Sequence, residues 1–181
     1  MVYVFLAEGF EEIEALAPVD ILRRGEIEVK TVGVGSKNIT GSHGITVTCD
    51  LTEEDIKLED IQAVILPGGM PGTVNLQKSG AVGSAIEYAY KNGKIIGAIC
   101  AAPSVIGRKG ILNGKNATCF PGFEQYLTGA QILDLPVVRD GNIITAIGAG
   151  AALEFGFCLL EALTSKSAAS SLRRTMKYIT W

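Results

Sequence analysis

Ile95-Ile96-Gly97-Ala98-Ile99-Cys100-Ala101-Ala102-Pro103 is the stretch from which the fold of this chain can be read. Its first five residues form a continuous apolar run of strand length, the pattern of a strand buried on both faces. The run stops at a cysteine, two alanines follow, and Pro103 stands where a helix begins. At that position proline's fixed φ and missing N–H cost least. Strand, cysteine, small, small, proline is the layout of a nucleophile elbow: a tight turn presents one side chain at the sheet edge, and small neighbours let the helix pack close. Free amides and the dipole at a helix N-terminus favour a thiolate, so the pKa of Cys100 is expected to fall. A buried structural cysteine uses the same residue type; the surrounding turn is what favours a nucleophile.

Outward from this turn the apolar periodicity switches repeatedly between strand and helix. Strands are predicted at Val2–Leu6, Ile27–Val34 and Ala63–Leu66, and helices at Glu11–Arg24, Val82–Tyr90, Pro103–Ile106 and Ala151–Leu163. Pro18 should kink or break the first helix, and Lys109-Gly110 should close the one after Cys100. Ser36–Asp50 reads as an excursion of short β pieces. Pro136–Arg139 and Asn142–Ala146 flank Asp140-Gly141, a hairpin signal, and a more polar helix is predicted over Ser167–Tyr178. Strands alternating with helices specify an α/β fold: a flavodoxin-like, doubly wound three-layer sandwich on a mostly parallel sheet, as one domain over residues 1–181.

Composition agrees with that class and narrows the partners. The 181 residues include 22 Gly and only 7% aromatics, which suits small-residue strands and many tight turns. A net charge of −3 with scattered Lys and Arg offers no footprint for nucleic acid or anionic lipid, and no apolar run has membrane-span length. Cys49, Cys100, Cys119 and Cys158 show neither CxxC pairing nor metal-ligand spacing. Val2–Leu6 follows the first residue with no basic leader or cleavage site, so a cytoplasmic protein with free thiols is expected.

In an open parallel sheet, chemistry collects beyond the carboxyl ends of the strands. Besides the cysteine turn, three others are readable there: Ala7-Glu8-Gly9-Phe10-Glu11-Glu12-Ile13-Glu14, Leu66-Pro67-Gly68-Gly69 and Gly148-Ala149-Gly150. Gly68 and Gly69 leave the backbone bare, and their amides, with that of Ala101, could stabilise an oxyanion. Acidic residues at a helix start are favourable whatever the function. Glu14 differs, because it lies one turn inside the helix among Ile13, Ala15 and Leu16. Desolvated there beside an anionic sulfur, it would keep its proton and donate a hydrogen bond.

These turns, together with Pro18-Val19-Asp20, Asn75-Leu76, Ala98–Pro103 and Glu154-Phe155, resemble the ThiJ/PfpI superfamily, in the branch of the Parkinson-disease-associated protein deglycase and its bacterial relatives. The resemblance covers nearly the whole chain. It implies a homodimer, a reactive and oxidisable Cys100, a protonated Glu14 in contact with it, and oxyanion amides at Gly69 and Ala101. It also implies cofactor-free glyoxalase or deglycase chemistry on reactive dicarbonyls or their adducts. The alternatives within the superfamily are a redox-sensing or chaperone-like stress protein and, more distantly, a cysteine peptidase. No metal or cofactor is implied, and the expected partners are a small carbonyl substrate and a second copy of the chain. Gly68, Phe120, His43 and Gly148 are the expected pocket residues. Two departures bear on mechanism. Phe120 stands where many relatives carry His, and Ala101 follows Cys100 where peptidase-like relatives place His. The only histidine, His43, falls where the deglycase branch tends to have a basic residue near its dimer interface. With no Cys–His dyad legible, proteolysis loses support, as does any glyoxalase step that needs a histidine proton carrier.

Overall fold

The computed structural model describes residues 1–178; Ile179–Trp181, the end of the expected domain, lie outside the described residues. The first half of the chain supplies β1 (Val2–Leu6), α1 (Glu12–Arg24), β2 (Val29–Gly33), β3 (Asn38–Thr40), β4 (Thr46–Thr48), β5 (Leu51–Thr52), β6 (Ala63–Leu66), α2 (Gly72–Lys78) and α3 (Gly80–Lys91). The second half supplies β7 (Ile95–Ile99), α4 (Pro103–Gly107), β8 (Asn116–Ala117), β9 (Gln131–Ile132), β10 (Val137–Asp140), β11 (Ile143–Ala146), α5 (Ala152–Leu163) and α6 (Lys166–Thr175). The main sheet runs β10-β11-β7-β6-β1-β2-β5. All its pairings are parallel except β10–β11. The doubly wound, mostly parallel sandwich expected from the sequence is therefore the fold observed.

Strand alternation assigns the layers. Val2, Val4 and Leu6 of β1 point into one core with Ala15, Leu22, Phe155 and Leu159 of α1 and α5. Tyr3 and Phe5 point into the other, with Leu76, Val82, Ile86 and Ile106 of α2, α3 and α4. Each face of the sheet is thus fully covered, which is why its strands read as unbroken apolar runs rather than as alternations. Against the first face, α5 lies close: a Cβ on Gly97 of β7 would come 2.9 Å from Leu159 and 3.0 Å from Phe155.

Several local expectations are corrected. Pro18 does not break α1, which runs unbroken from Glu12 to Arg24. A mid-helix proline forfeits one backbone bond, here to the Glu14 carbonyl, and costs about 3 kcal/mol. Burial of Ala15, Val19, Ile21 and Leu22 along the same helix outweighs that loss. The Asp140-Gly141 hairpin is real, but Asp140 pairs with Ile143 as the last rung, so the two-residue loop is Gly141-Asn142, with Gly141 at φ +62°. Ser36–Asp50 forms the antiparallel β3–β4 pair outside the main sheet. The helix after Cys100 ends at Gly107, the buried helix begins at Ala152 after a one-turn 3-10 segment, and the last helix covers Lys166–Thr175. Helix α2 and the short β8–β9 pair carry too little periodicity to be read from sequence. Among the described residues no helix is long and apolar enough to cross a membrane.

Phe155 is fully buried and joins α5 to β7. Phe155→Ala should lower unfolding free energy by about 3–5 kcal/mol, measured by urea denaturation with an unchanged m-value. A loss below about 1 kcal/mol would mean that this contact does not hold α5 on the sheet.

Candidate active site

Four neighbouring strands, β11, β7, β6 and β1, bring their carboxyl ends together. After β7 comes Cys100, whose φ of +65° places a non-glycine residue in the left-handed region. Such a conformation costs on the order of 1–3 kcal/mol and needs surrounding structure to hold it. Backbone bonds on both sides do so. Cys100 N donates to Ala146 O at 2.9 Å, and Phe120 N donates to Cys100 O at 2.8 Å. Ser104 Oγ then donates to Ala101 O at 2.6 Å, fixing the first turn of α4. The nucleophile elbow read from the sequence is present in the backbone.

Glu14 reaches the same point from α1. It is 1% exposed, Gly68 N donates to its Oε2 at 2.8 Å, and its carboxyl lies beside the Cys100 side chain. Its helix is started by Glu11, whose carboxylate accepts from Glu14 N at 2.7 Å. The turn after β6 has to be glycine. A Cβ on Gly68 would stand 2.6 Å from Glu14 Oε2 and 2.7 Å from Cys100 Cβ. Gly69 has φ +88°, and a Cβ there would meet the backbone of Gly9 and Glu11. The amides of Ala101 and Gly69 both lie near the Cys100 sulfur, where they favour its charged form.

Burial pushes Glu14 up to about 7, with Glu11's charge adding to it, against the hydrogen bonds from Cys100 and Gly68. With Glu14 ionised, burial first and then Glu14's charge push Cys100 up to about 12, against the pull of the Ala101 and Gly69 amides. This corrects the expectation that the helix N-terminus lowers the thiol. Helix α4 is five residues long and starts at Pro103, so its dipole is small beside desolvation. The thiol's titration depends on where one proton resides. Two contacting acids hold a single negative charge across the neutral range. On sulfur that charge meets two amides and the Glu14 O–H. On the carboxylate it meets one amide and a thiol, a weak donor. A charge on sulfur therefore requires that Glu14 keep its proton, against the carboxyl's lower intrinsic pKa.

The other predicted residues lie in two groups. Gly148 joins the dyad: a Cβ there would be 3.4 Å from the Phe120 ring and 4.0 Å from Glu14 Oε1. Phe120 sits at the mouth and is 48% exposed. His43 is held elsewhere, on the β3–β4 turn. Its Nδ1 is 2.9 Å from Glu12 Oε2 and 3.8 Å from Glu11 Oε1. Glu12 also accepts from the amides of His43 and Ile45, and its hydrogen bond with His43 raises the imidazole pKa. Glu11, Glu12 and His43 form the one cluster of potential metal ligands among the described residues. Its central carboxylate, however, is occupied in closing the loop. Sequence reading passed over Glu12, whose 4% exposure no local pattern announces.

The sequence profile of the DJ-1/PfpI family matches residues 1–162. This chain belongs to the DJ-1/PfpI family. It is 34% identical to Protein dj-1beta of Drosophila melanogaster, over 90% of this chain and 89% of that protein. It is 32% identical to the glutathione-independent glyoxalase DJR-1.2 of Caenorhabditis elegans, over 93% and 91%. Among solved structures, oxidised Toxoplasma gondii DJ-1 superposes with a TM-score of 0.94 at 30% identity, covering 99% of this chain and 98% of that one. An alanine mutant of a Salmonella typhimurium DJ-1 superfamily protein gives 0.92 at 32% identity, covering 99% and 98%. The family to which the strand-end motifs pointed is thus confirmed across most of the chain.

The single charge shared by the pair sets the sign of a titration. Iodoacetamide alkylation of Cys100 should rise with a midpoint at or below about 7, where the dyad loses its first proton. Glu14→Gln replaces the O–H donor by a weaker N–H and should move that midpoint upward by roughly one pH unit, about 1.4 kcal/mol. A downward move would place the charge on Glu14 in the parent protein. Gly68→Ala should fold yet separate the pair, costing about 1–3 kcal/mol in stability and removing the low-pH alkylation step. Parent-like alkylation in that variant would show that Glu14 and Cys100 are not coupled through the β6 turn.

Proposed function

We propose that this protein is a cofactor-free, cysteine-dependent enzyme that converts small reactive dicarbonyls, or their adducts, to hydroxy acids. The observation that carries this reading is the buried Glu14 beside a partly exposed Cys100 whose sulfur faces two backbone amides. The Cys100 thiolate adds to the aldehyde carbon of an α-oxoaldehyde. The carbonyl π electrons pass to oxygen, which the Gly69 and Ala101 amides stabilise and the Glu14 O–H protonates. The Glu14 carboxylate so formed takes the proton from the former aldehyde carbon and returns it to the adjacent one. The first carbon is oxidised as the second is reduced, so no external oxidant is required. Water then hydrolyses the thioester, releasing a 2-hydroxy acid and the thiol. A pKa of about 7 suits Glu14 to both giving and taking a proton near neutral pH. The naming of the Caenorhabditis elegans relative as a glyoxalase supports the same class.

A second reading is a stress-responsive redox sensor. Phe120 occupies the mouth of the site, so no imidazole is placed there to move protons. The Toxoplasma relative was solved in an oxidised form. Here Cys100 would be oxidised by peroxide to the sulfenic and then sulfinic acid, reducing peroxide to water and accepting a hydrogen bond from Glu14. Among the other thiols, Cys49 and Cys119 are buried, whereas Cys100 is partly exposed and lies beside Glu14, so oxidation should favour Cys100 over them. Proteolysis is disfavoured because neither neighbour of the nucleophile supplies a base. Homodimerisation, expected from the family resemblance, belongs to this reading as well.

Purified protein incubated with methylglyoxal should form lactate, followed by NMR, and Cys100→Ala should abolish it. Lactate formation equal in the two proteins would sink the enzymatic reading. If the parent shows no turnover while mild peroxide converts Cys100 selectively to sulfinate, the sensor reading replaces it.

A further inference from the structure

We infer that the groove beginning at Phe120 is a subsite for an apolar, uncharged substituent on the compound that meets Cys100, so that aryl or bulky alkyl oxoaldehydes are preferred to methylglyoxal. The inference rests on the carbonyl-addition reading for its chemistry, and on the groove itself for its selectivity.

The groove has a volume of ≈ 560 Å³ and is lined by Phe120, Pro121, Pro136, Ile147, Gly148 and Ala151, with two further small residues between the last pair. No lining side chain is titratable. A carboxylate such as that of glyoxylate, or a guanidinium adduct, would lose water there without gaining a partner. A cavity of about 150 Å³ suffices for benzene, so the space is generous for a ring and largely unused by a methyl group. Neither Cys100 nor Glu14 lines the groove, but at Gly148 it adjoins the reactive pair. Gly148 lies between the Phe120 ring and Glu14 Oε1, at 3.4 Å and 4.0 Å from its Cβ position. Phe120 is itself tied by its amide to the Cys100 carbonyl. For a carbonyl held at Cys100 by the Gly69 and Ala101 amides, the apolar space adjoining the site at Gly148 is the groove that leads to the ring. Phe120 as a residue is 48% exposed. An aromatic surface of this kind at the mouth of a site is stabilised when a second ring stacks on it or alkyl surface covers it.

One methylene in an apolar pocket is worth about 10–200-fold in kcat/KM. Phenylglyoxal should accordingly be turned over at least about tenfold more efficiently than methylglyoxal, and glyoxylate worst of the three. Phe120→Ala should bring the phenylglyoxal-to-methylglyoxal ratio below about threefold, with Phe120→Leu between, since leucine keeps apolar area but no ring to stack. A readout independent of turnover is protection of Cys100 from iodoacetamide by acetophenone, which has the aryl ketone and no aldehyde. Acetophenone should protect where acetone does not, and Phe120→Ala should weaken that protection at least about fivefold. Equal protection by acetone and acetophenone, or protection unchanged in Phe120→Ala, would overturn the subsite, as would a methylglyoxal preference in an active parent enzyme. If neither aldehyde is turned over while Phe120-dependent protection persists, the subsite stands and the carbonyl chemistry fails.

Discussion

Glu14 and Cys100 touch in a place too poorly solvated for both to be charged, and the rest of the strand-end cluster is arranged around that constraint. A lone cysteine at this turn would be an inert, desolvated thiol. Burial is the largest influence on it and points upward. A lone carboxyl at Glu14 would likewise be held neutral by burial. In contact, the pair can discharge one proton and distribute what remains. The backbone amides decide the distribution, because two face the sulfur and one faces the carboxyl. Titration at this turn is therefore a property of the pair rather than of either side chain.

This pairing is possible only because the intervening backbone is thin. Gly68 occupies a gap in which a methyl group would strike both members of the dyad, and Gly69 takes a left-handed conformation against the backbone of residues 9–11. Cys100 takes the same unfavourable region of φ without glycine's freedom. It is held there by bonds from β11 and from Phe120. The sheet is therefore the device that positions the chemistry. Its four adjacent strand ends converge on one point, and its two apolar cores keep those ends in register.

Much of this was legible in the sequence, for identifiable reasons. Buried parallel strands are continuous apolar runs, so Val2–Leu6, Ala63–Leu66 and Ile95–Ile99 read correctly to the residue. The elbow and the Pro-Gly-Gly turn are local patterns with local causes. Three features lay beyond local pattern. Pro18 suggested a break because its penalty is intrinsic to the residue, whereas the burial that outweighs it comes from tertiary packing. The thiol's surroundings were read from the helix start alone, whereas burial and the charge of Glu14, which push it up, are properties of the assembled fold and invisible in the sequence. Glu12 resembled one more acidic residue at a helix start. Its role in closing the β3–β4 turn depends on a chain segment some thirty residues away. The same loop captures His43, which sequence position alone had offered to the pocket.

The two functional readings share a reactive sulfur, so they are separated by what surrounds it. Peroxide is small, and a sensor needs only an accessible thiolate with a donor to receive the oxidised sulfur; an extended apolar groove adds nothing to that chemistry. A carbonyl enzyme needs its substrate oriented for proton transfer between adjacent carbons. With Phe120 at the mouth, Glu14 is the side chain placed to carry that proton. A single carrier can serve both carbons only if the substrate is held still while the proton is returned. In the proposed enzyme, two amides at one end and an apolar wall at the other would provide such a hold, whereas a peroxide sensor would make no use of the groove beside Phe120.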